Sequence, residues 1–291
     1  MTESVHIGVI GGSGLYKMPE LTDVITQPMT TLYGSPSADV VIGTLRGKRV
    51  AFLPRHGVGH VYSPSNLPYR ANILALKMLG VRKIIAVNAC GSLREDYAPG
   101  HIVIPDQLFD HTKADRGRTF FETDIVAHTS IADPFCANLS NIVAESVRAV
   151  GGTVHEGGTF ITIEGPRFST KGESNIFRQW GCSIIGMTTS PEAFLAREAE
   201  MCYMSMSHVT DYDVWHESQE PVTVEMVVQI MNRNLEIAQQ AVADAVENID
   251  GTSECPCHNA LEYAFITDRT KIPRETIDRM RPLIGRYFPE A

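Results

Sequence analysis

Short apolar runs recur along this chain, and nearly all of them end in glycine, small hydroxyl residues or a carboxylate. "VHIGVIGG", "RKIIAVNACGS", "GTFITIEG", "CSIIGMTT" and "CYMSMSHVTDYD" are each too short and too apolar throughout for an amphipathic helix. They read as strands buried on both faces. Between them lie segments of helical period. "NLPYRANILALKMLG" carries Ala71, Leu74, Ala75 and Leu79 on one face and closes on Gly80, and "NLSNIVAESVRAVGG" closes the same way. "ADVVIGTLRGKRVAFLPRHG" reads as two strands around a Gly-Lys turn, and "GHIVIPDQLFDHT" as one strand. "SPEAFLAREAE" is a helix, and "VTVEMVVQIMNRNLEIAQQAVADAVENI" a long one. The tail from Gly251 starts as a loop and ends in one or two helices, with Pro273 suited to a first turn. No linker, repeat or low-complexity segment interrupts this order. The expectation over residues 1–291 is therefore one α/β domain with a buried sheet flanked by helices.

The formal net charge of −9 speaks against nucleic acid as a partner, because such proteins usually carry a basic footprint. No run is long and apolar enough for a membrane span, and the start has no basic n-region, so no membrane partner is expected and a cytoplasmic location is the default. In that compartment most of the six cysteines should be reduced. "CPCH" at 255–258 invites a zinc reading. Structural zinc sites, however, use C-x₂₋₄-C with a second pair, and no second pair stands out. A redox-active or disulfide-forming pair, or plain structural cysteines, are the better readings, and no metal is expected.

Ligands of α/β sheets bind where strands end, and the polar signals fall there: Gly11–Gly14, Arg55–His60, Asn88–Ser92, Glu164–Ser169, Met187–Thr189 and Thr210–Asp213. "GGSG" fails the dinucleotide fingerprint, since Lys17 stands where its third glycine would be, and it fails the P-loop pattern too. A tight turn beside Ser13 can still cradle an oxyanion, though a plain structural turn fits as well. Arg55, His56, Asn88 with the backbone of Ala89, and Thr188 complete a set suited to one dianion. His60 fits a solvated surface histidine equally well. Asp211 and Asp213 at i and i+2 on a strand would face the same way. They could share a proton or read a donor-rich ligand, or simply form a polar turn.

"GVIGGSGLY", "LPRHG", "NACGSLRE", "TIEGPRFST", "GMTTSPEAFLARE" and "TDYDVW" occur in the order and spacing of the trimeric purine nucleoside phosphorylases, over residues 5–250. The chain resembles that family, most closely its S-methyl-5'-thioadenosine phosphorylase branch. The resemblance implies a central mixed, partly barrel-like sheet. It implies phosphorolysis of S-methyl-5'-thioadenosine to adenine and 5-methylthioribose 1-phosphate, with phosphate as co-substrate and no cofactor. The phosphate would be held by Ser13, Arg55, His56, Asn88, Ala89 and Thr188. Base and ribose would meet Phe168, Ser169, Met187, Asp211 and Asp213, with Asp211 the general acid at N7 and Asp213 the acceptor of the 6-amino group. Val224, Val227 and Val228, one helix face that could equally be core packing, would line the methylthio slot. His128 would be lent to the neighbouring subunit, making the assembly a homotrimer or a homohexamer, with the tail from about 251 at an interface. Cys255/Cys257 and Cys136/Cys202 are similar to disulfide-bearing positions of heat-stable members. Alternatives are a 6-oxopurine nucleoside or S-methyl-5'-thioinosine phosphorylase, and a non-catalytic nucleoside-binding protein.

Overall fold

A computed structural model describes residues 4–12, 14–216 and 223–289. The described residues form an eleven-stranded mixed sheet. In chain order its strands and helices begin β1 (Ile7–Gly11), β2 (Thr22–Gln27), β3 (Val40–Leu45), β4 (Lys48–Pro54), α1 (Tyr69–Met78), β5 (Lys83–Ser92), β6 (Ile102–Ile104) and β7 (Gln107–His111). They continue α2 (Ala137–Ala149), β8 (Val154–Glu156), β9 (Thr159–Ile163), α3 (Lys171–Gln179), β10 (Cys182–Gly186), α4 (Thr189–Glu198) and β11 (Cys202–Asp211). The chain then forms α5 (Val224–Asn248), α6 (Arg274–Arg279) and α7 (Arg281–Ile284).

The sheet runs β2-β3-β4-β1-β5-β10-β9-β7, with β11 joining β5 to β6, and β6 pairing in turn with β8. β5 is the pivot. Its first half pairs in parallel with β1 (Lys83 to Ala86) and its last two residues pair antiparallel with β10. Among the described residues no strand pairs with Val87 to Cys90 on that edge, which leaves a gap between β1 and β10 alongside β5. β11 runs parallel along the whole of the other edge of β5. The expected mixed sheet flanked by helices is thus present, branching at β5.

Alternate residues of β5 feed two cores. Ile84 and Ala86 pack with α1, α4 and the tail residues Leu261 and Leu283. Ile85 and Val87 pack with Leu139 and Val143 of α2 and with Ala241 and Val242 of α5. Burial on both faces explains why β5 and β11 read as continuous apolar runs rather than alternating ones. The tail is thus a layer of its own chain's core.

The expected elements form, with four differences. "GHIVIPDQLFDHT" makes two strands, because Pro105 lacks the N–H a continuing ladder needs. β6 then joins β11 while β7 joins β9. The exposed strand β2 and the three-residue β8 carry too little apolar signal to stand out. α3 also went unread, although Thr170 and Glu173 form a complete capping box at its start.

Candidate active site

Two carboxylates meet beside β5. Asp211 is the last residue of β11, and the pairing with β5 skips a residue there: Val209 faces Cys90 and Asp211 faces Gly91. Thr210 is the extra residue of this bulge, a device that re-aims a side chain. Its hydroxyl donates to Asp211 Oδ2 at 2.7 Å. Asp213 lies past the strand, in the left-handed region at φ 50°. Its backbone N–H donates to Asp211 Oδ1 at 2.8 Å. The pair is therefore joined by an Asx-type turn, not by the two-residue repeat of a strand. Gly91 makes room for it: a Cβ there would lie 3.0 Å from Asp211 Oδ1 and 3.3 Å from Asp213 Cβ.

Both carboxylates are buried, each 7% exposed. Burial pushes Asp211 up to about 6 against the pull of its two hydrogen bonds, with the Asp213 charge adding to the rise. Burial raises Asp213 as well, while the nearby hydroxyls of Ser174 and Ser169 oppose that rise. Neither hydroxyl nor Asp213 Oδ2 makes a full hydrogen bond. The three polar atoms therefore sit close together, yet none completes a full hydrogen bond, an arrangement that a ligand or water would complete.

The raised carboxyl has a consequence for stability. A carboxyl held at about 6 contributes stability below its unfolded value and loses it as pH rises through 6. Two pK units correspond to roughly 3 kcal/mol. Asp211→Asn, which keeps an acceptor for the Asp213 N–H, should therefore raise the unfolding temperature at pH 8. The gain should shrink as pH falls below 6 and vanish below about pH 3, where the carboxyl is protonated in the folded and the unfolded chain alike. A melting-temperature difference that does not change between these pH values would contradict the assignment.

The opening between β1 and β10 gathers the second group. Arg55 follows β4, and its backbone N–H donates to Gly11 O at 2.9 Å. Its guanidinium is buried and forked onto Glu192, with Nε and Nη2 each 2.8 Å from a carboxylate oxygen. Nη1 donates to Val87 O and Nη2 also to Ile10 O. Of the five N–H groups of arginine, one on Nη1 remains for a ligand. Glu192 is 0% exposed and also accepts from Tyr203 Oη at 2.8 Å. Asn88 donates to Ser205 Oγ at 2.9 Å, and its buried Oδ1 has no partner. Thr188 is buried between β10 and α4, followed by Thr189 and Ser190; the Thr189 hydroxyl makes no hydrogen bond, and the Ser190 hydroxyl lies near the Asp110 carboxylate. Ser190 keeps an extended backbone, so the regular turns of α4 begin at Pro191.

His56 is half-buried, and its Nδ1–H donates to Tyr62 O at 2.9 Å. Burial lowers it to about 4, with the Tyr62 carbonyl partly offsetting the drop. At neutral pH its Nε2 is therefore a bare acceptor. His60 stacks on it, ring centroids 4.1 Å apart.

Arg116 and Glu164 hold the rim. Arg116 donates to Glu164 Oε1 at 3.0 Å and to Met187 O at 2.6 Å. Glu164 also accepts from Lys113 N and Ala114 N. Ser169 and Phe168, both half-buried, follow Glu164 in the same loop. Val224 and Val228 stand exposed at the start of α5, with Val227 half-buried. α5 also touches the glycine turn, where Gln239 Nε2 donates to Gly14 O at 2.8 Å. His128 stands apart from this group, exposed beside the tail, its backbone N–H on Ala264 O. Ser13 lies outside the described residues.

Sequence reasoning missed Glu192, Ser174, Ser205, Arg116 and Gly91. A glutamate amid the apolar face of α4 was the readable signal for Glu192. The others gain meaning only from their neighbours in space.

Residues 6–247 match the model of the phosphorylase superfamily. The chain is 53% identical to the S-methyl-5'-thioadenosine phosphorylase of Chloroflexus aurantiacus, covering 98% of this chain and 99% of that one. It is 51% identical to that of Thermofilum pendens, over 91% of this chain and 100% of the other. A methylthioadenosine phosphorylase from an antarctic soil metagenomic library superposes with TM-score 0.92 at 44% identity, covering 96% of this chain and 99% of that one. The Schistosoma mansoni methylthioadenosine phosphorylase solved with adenine gives 0.83 at 36%, covering 89% and 96%. No described helix is long and apolar enough to cross a membrane.

Proposed function

This chain belongs to the phosphorylase superfamily. We infer that it catalyses phosphorolysis of S-methyl-5'-thioadenosine, transferring the 5-methylthioribosyl group from adenine to inorganic phosphate. The observation that carries the substrate is the buried pair Asp211–Asp213, with Asp213 Oδ2 and the hydroxyls of Ser169 and Ser174 gathered beside it short of full hydrogen bonds.

A purine departs more readily when N7 is protonated. Asp211, raised toward neutrality by burial, is suited to donate there as general acid. Asp213 Oδ2 makes no full hydrogen bond, and a 6-amino group is a donor it can accept from. A 6-oxo group would set oxygen against oxygen, which disfavours the inosine analogue. Ser169 stands beside the base, and Phe168 stacks on it. Met187, whose carbonyl is anchored by Arg116, lies under the ribose.

Phosphate occupies the opening over β5. Arg55 offers its last N–H there, with Asn88, the backbone of Ala89 and Thr188 around it. Because Glu192 neutralises Arg55, backbone and hydroxyl dipoles carry much of the anion's stabilisation. His56 accepts from the P–OH of hydrogen phosphate through Nε2, rather than donating. Attack at C1' follows, and the phosphate charge stabilises the cationic sugar of the transition state. The reaction draws on no cofactor.

The exposed valines at 224 and 228, with Val227, give an apolar slot for the methylthio group once covered. His128 reaches the 5' end of a neighbouring subunit's substrate. Tyr263 and Ile266, 91% and 66% exposed near it, are suited to an interface, and the assembly is a homotrimer.

The test is release of adenine from S-methyl-5'-thioadenosine with and without phosphate, at matched enzyme concentration. Release should need phosphate and produce equimolar sugar 1-phosphate. Binding of the nucleoside with no release at any phosphate concentration would leave a nucleoside-binding protein instead.

A further inference from the structure

At the other end of β11 from the carboxylates, four sulfurs converge from three distant segments. Cys136 precedes α2, Cys202 opens β11, and Cys255 and Cys257 lie in the tail. Their Sγ atoms all lie within 4.8 Å of one another, and Cys136 and Cys255 are 3.7 Å apart. Among the described residues no other group of histidine, cysteine or carboxylate side chains has such spacing. All six cysteines are free thiols.

We propose that Cys136, Cys202, Cys255 and Cys257 bind one zinc ion as a tetrathiolate site that fastens the C-terminal tail to the sheet. Four thiolates about 2.3 Å from a tetrahedral zinc stand about 3.8 Å from each other, close to the 3.7 Å between Cys136 and Cys255, and the remaining sulfurs, all within 4.8 Å, need only a small inward shift. The sequence reading found no second pair for "CPC" because the partners are two single cysteines far apart in the chain.

The surroundings suit a thiolate cluster. Arg82 Nη2 lies 2.8 Å from His258 Nδ1. Arginine can only donate, so Nδ1 accepts and the ring proton sits on Nε2. That nitrogen lies 3.5 Å from Cys202 Sγ, placing an N–H toward the sulfur. Metal ligands are commonly held by such outer donors. Three of the sulfurs belong to buried residues, which keeps water from the metal. Binding balances simply: Zn²⁺ replaces the protons of four thiols, four H⁺ leave to solvent, and the cluster carries two negative charges, with Arg82 reaching it through the His258 ring. No oxidant is consumed, whereas two disulfides would each require one. The gain is structural: a tail that reaches the sheet through Cys257 and Leu261 becomes pinned at its entry point.

The experiment is metal analysis of the protein purified without chelator, with thiol counting in denaturant plus chelator. About one zinc per chain and six titratable thiols are expected. Cys255→Ser and Cys257→Ser should each lose at least fivefold in zinc content while the protein stays folded by circular dichroism. Cys182→Ser, a buried thiol outside the cluster, should keep it. A mercurial titrant should release zinc in step with thiol modification. Metal-free protein with two titratable thiols would replace zinc by two disulfides, and metal-free protein with six would leave packed thiols. Iron in place of zinc, or zinc retained in both tail variants, would also overturn the assignment.

Discussion

Asp211→Ala should lower kcat/KM for S-methyl-5'-thioadenosine by about 10²–10⁴-fold, the usual worth of a general acid. The protein should remain folded, because the mutation removes a carboxylate that burial already disfavours in its charged form. Asp211→Asn keeps the shape and the acceptor for the Asp213 N–H but cannot give up a proton. It should lose nearly as much activity on the adenine nucleoside. The pH dependence separates loss of an acid from loss of a contact. In the unaltered enzyme kcat/KM should decline above an apparent pKa near 6, a value belonging to the coupled pair Asp211–Asp213. In Asp211→Asn that decline should be absent. A variant that retains both the rate and the alkaline decline would remove Asp211 from the chemistry.

Glu192→Ala should destabilise the fold by about 3–5 kcal/mol, read as a lowered denaturant midpoint, since it leaves Arg55 charged and unpaired in the interior. Arg55 and Glu192 are 3% and 0% exposed and meet at 2.8 Å. The Tyr203 hydroxyl would lose its acceptor as well. A double replacement, Arg55→Met with Glu192→Leu, should recover much of that stability. It should nonetheless be inactive, because the phosphate would lose its arginine donor. The contrast assigns the pair to the anion site rather than to holding the fold. A Glu192→Ala midpoint within error of the parent would show that the guanidinium finds other partners.

The layout of strands and helices was legible because burial on both faces writes itself as uninterrupted apolar runs, and glycine marks the exits. Gly80, at φ 93°, closes α1 where the sequence placed it. The two aspartates were legible as a pair but for a different reason than strand periodicity. A bulge at Thr210 and a left-handed Asp213 bring them together, and Gly91 on another strand clears the space. Neither the bulge nor the facing glycine can be read from the local sequence. Arg55 reads in the sequence as a candidate anion ligand, yet its main partner lies 137 positions away. Hence its near-saturation was invisible until β4 and α4 were placed. His56 looked like a donor, and only its bond to Tyr62 O identifies which nitrogen faces outward. The cysteines were hidden for the same reason: a three-segment cluster has no spacing to recognise.

Asp211 and Asp213 are proposed together to discharge and recognise a 6-aminopurine. The most direct measurement is the ratio of kcat/KM for S-methyl-5'-thioadenosine to that for S-methyl-5'-thioinosine, in the parent enzyme and in Asp211→Asn. The parent should favour the adenine nucleoside by at least tenfold, and the variant should move the ratio toward the inosine nucleoside. A parent enzyme faster on the inosine nucleoside, or a ratio unmoved by Asp211→Asn, would contradict the account.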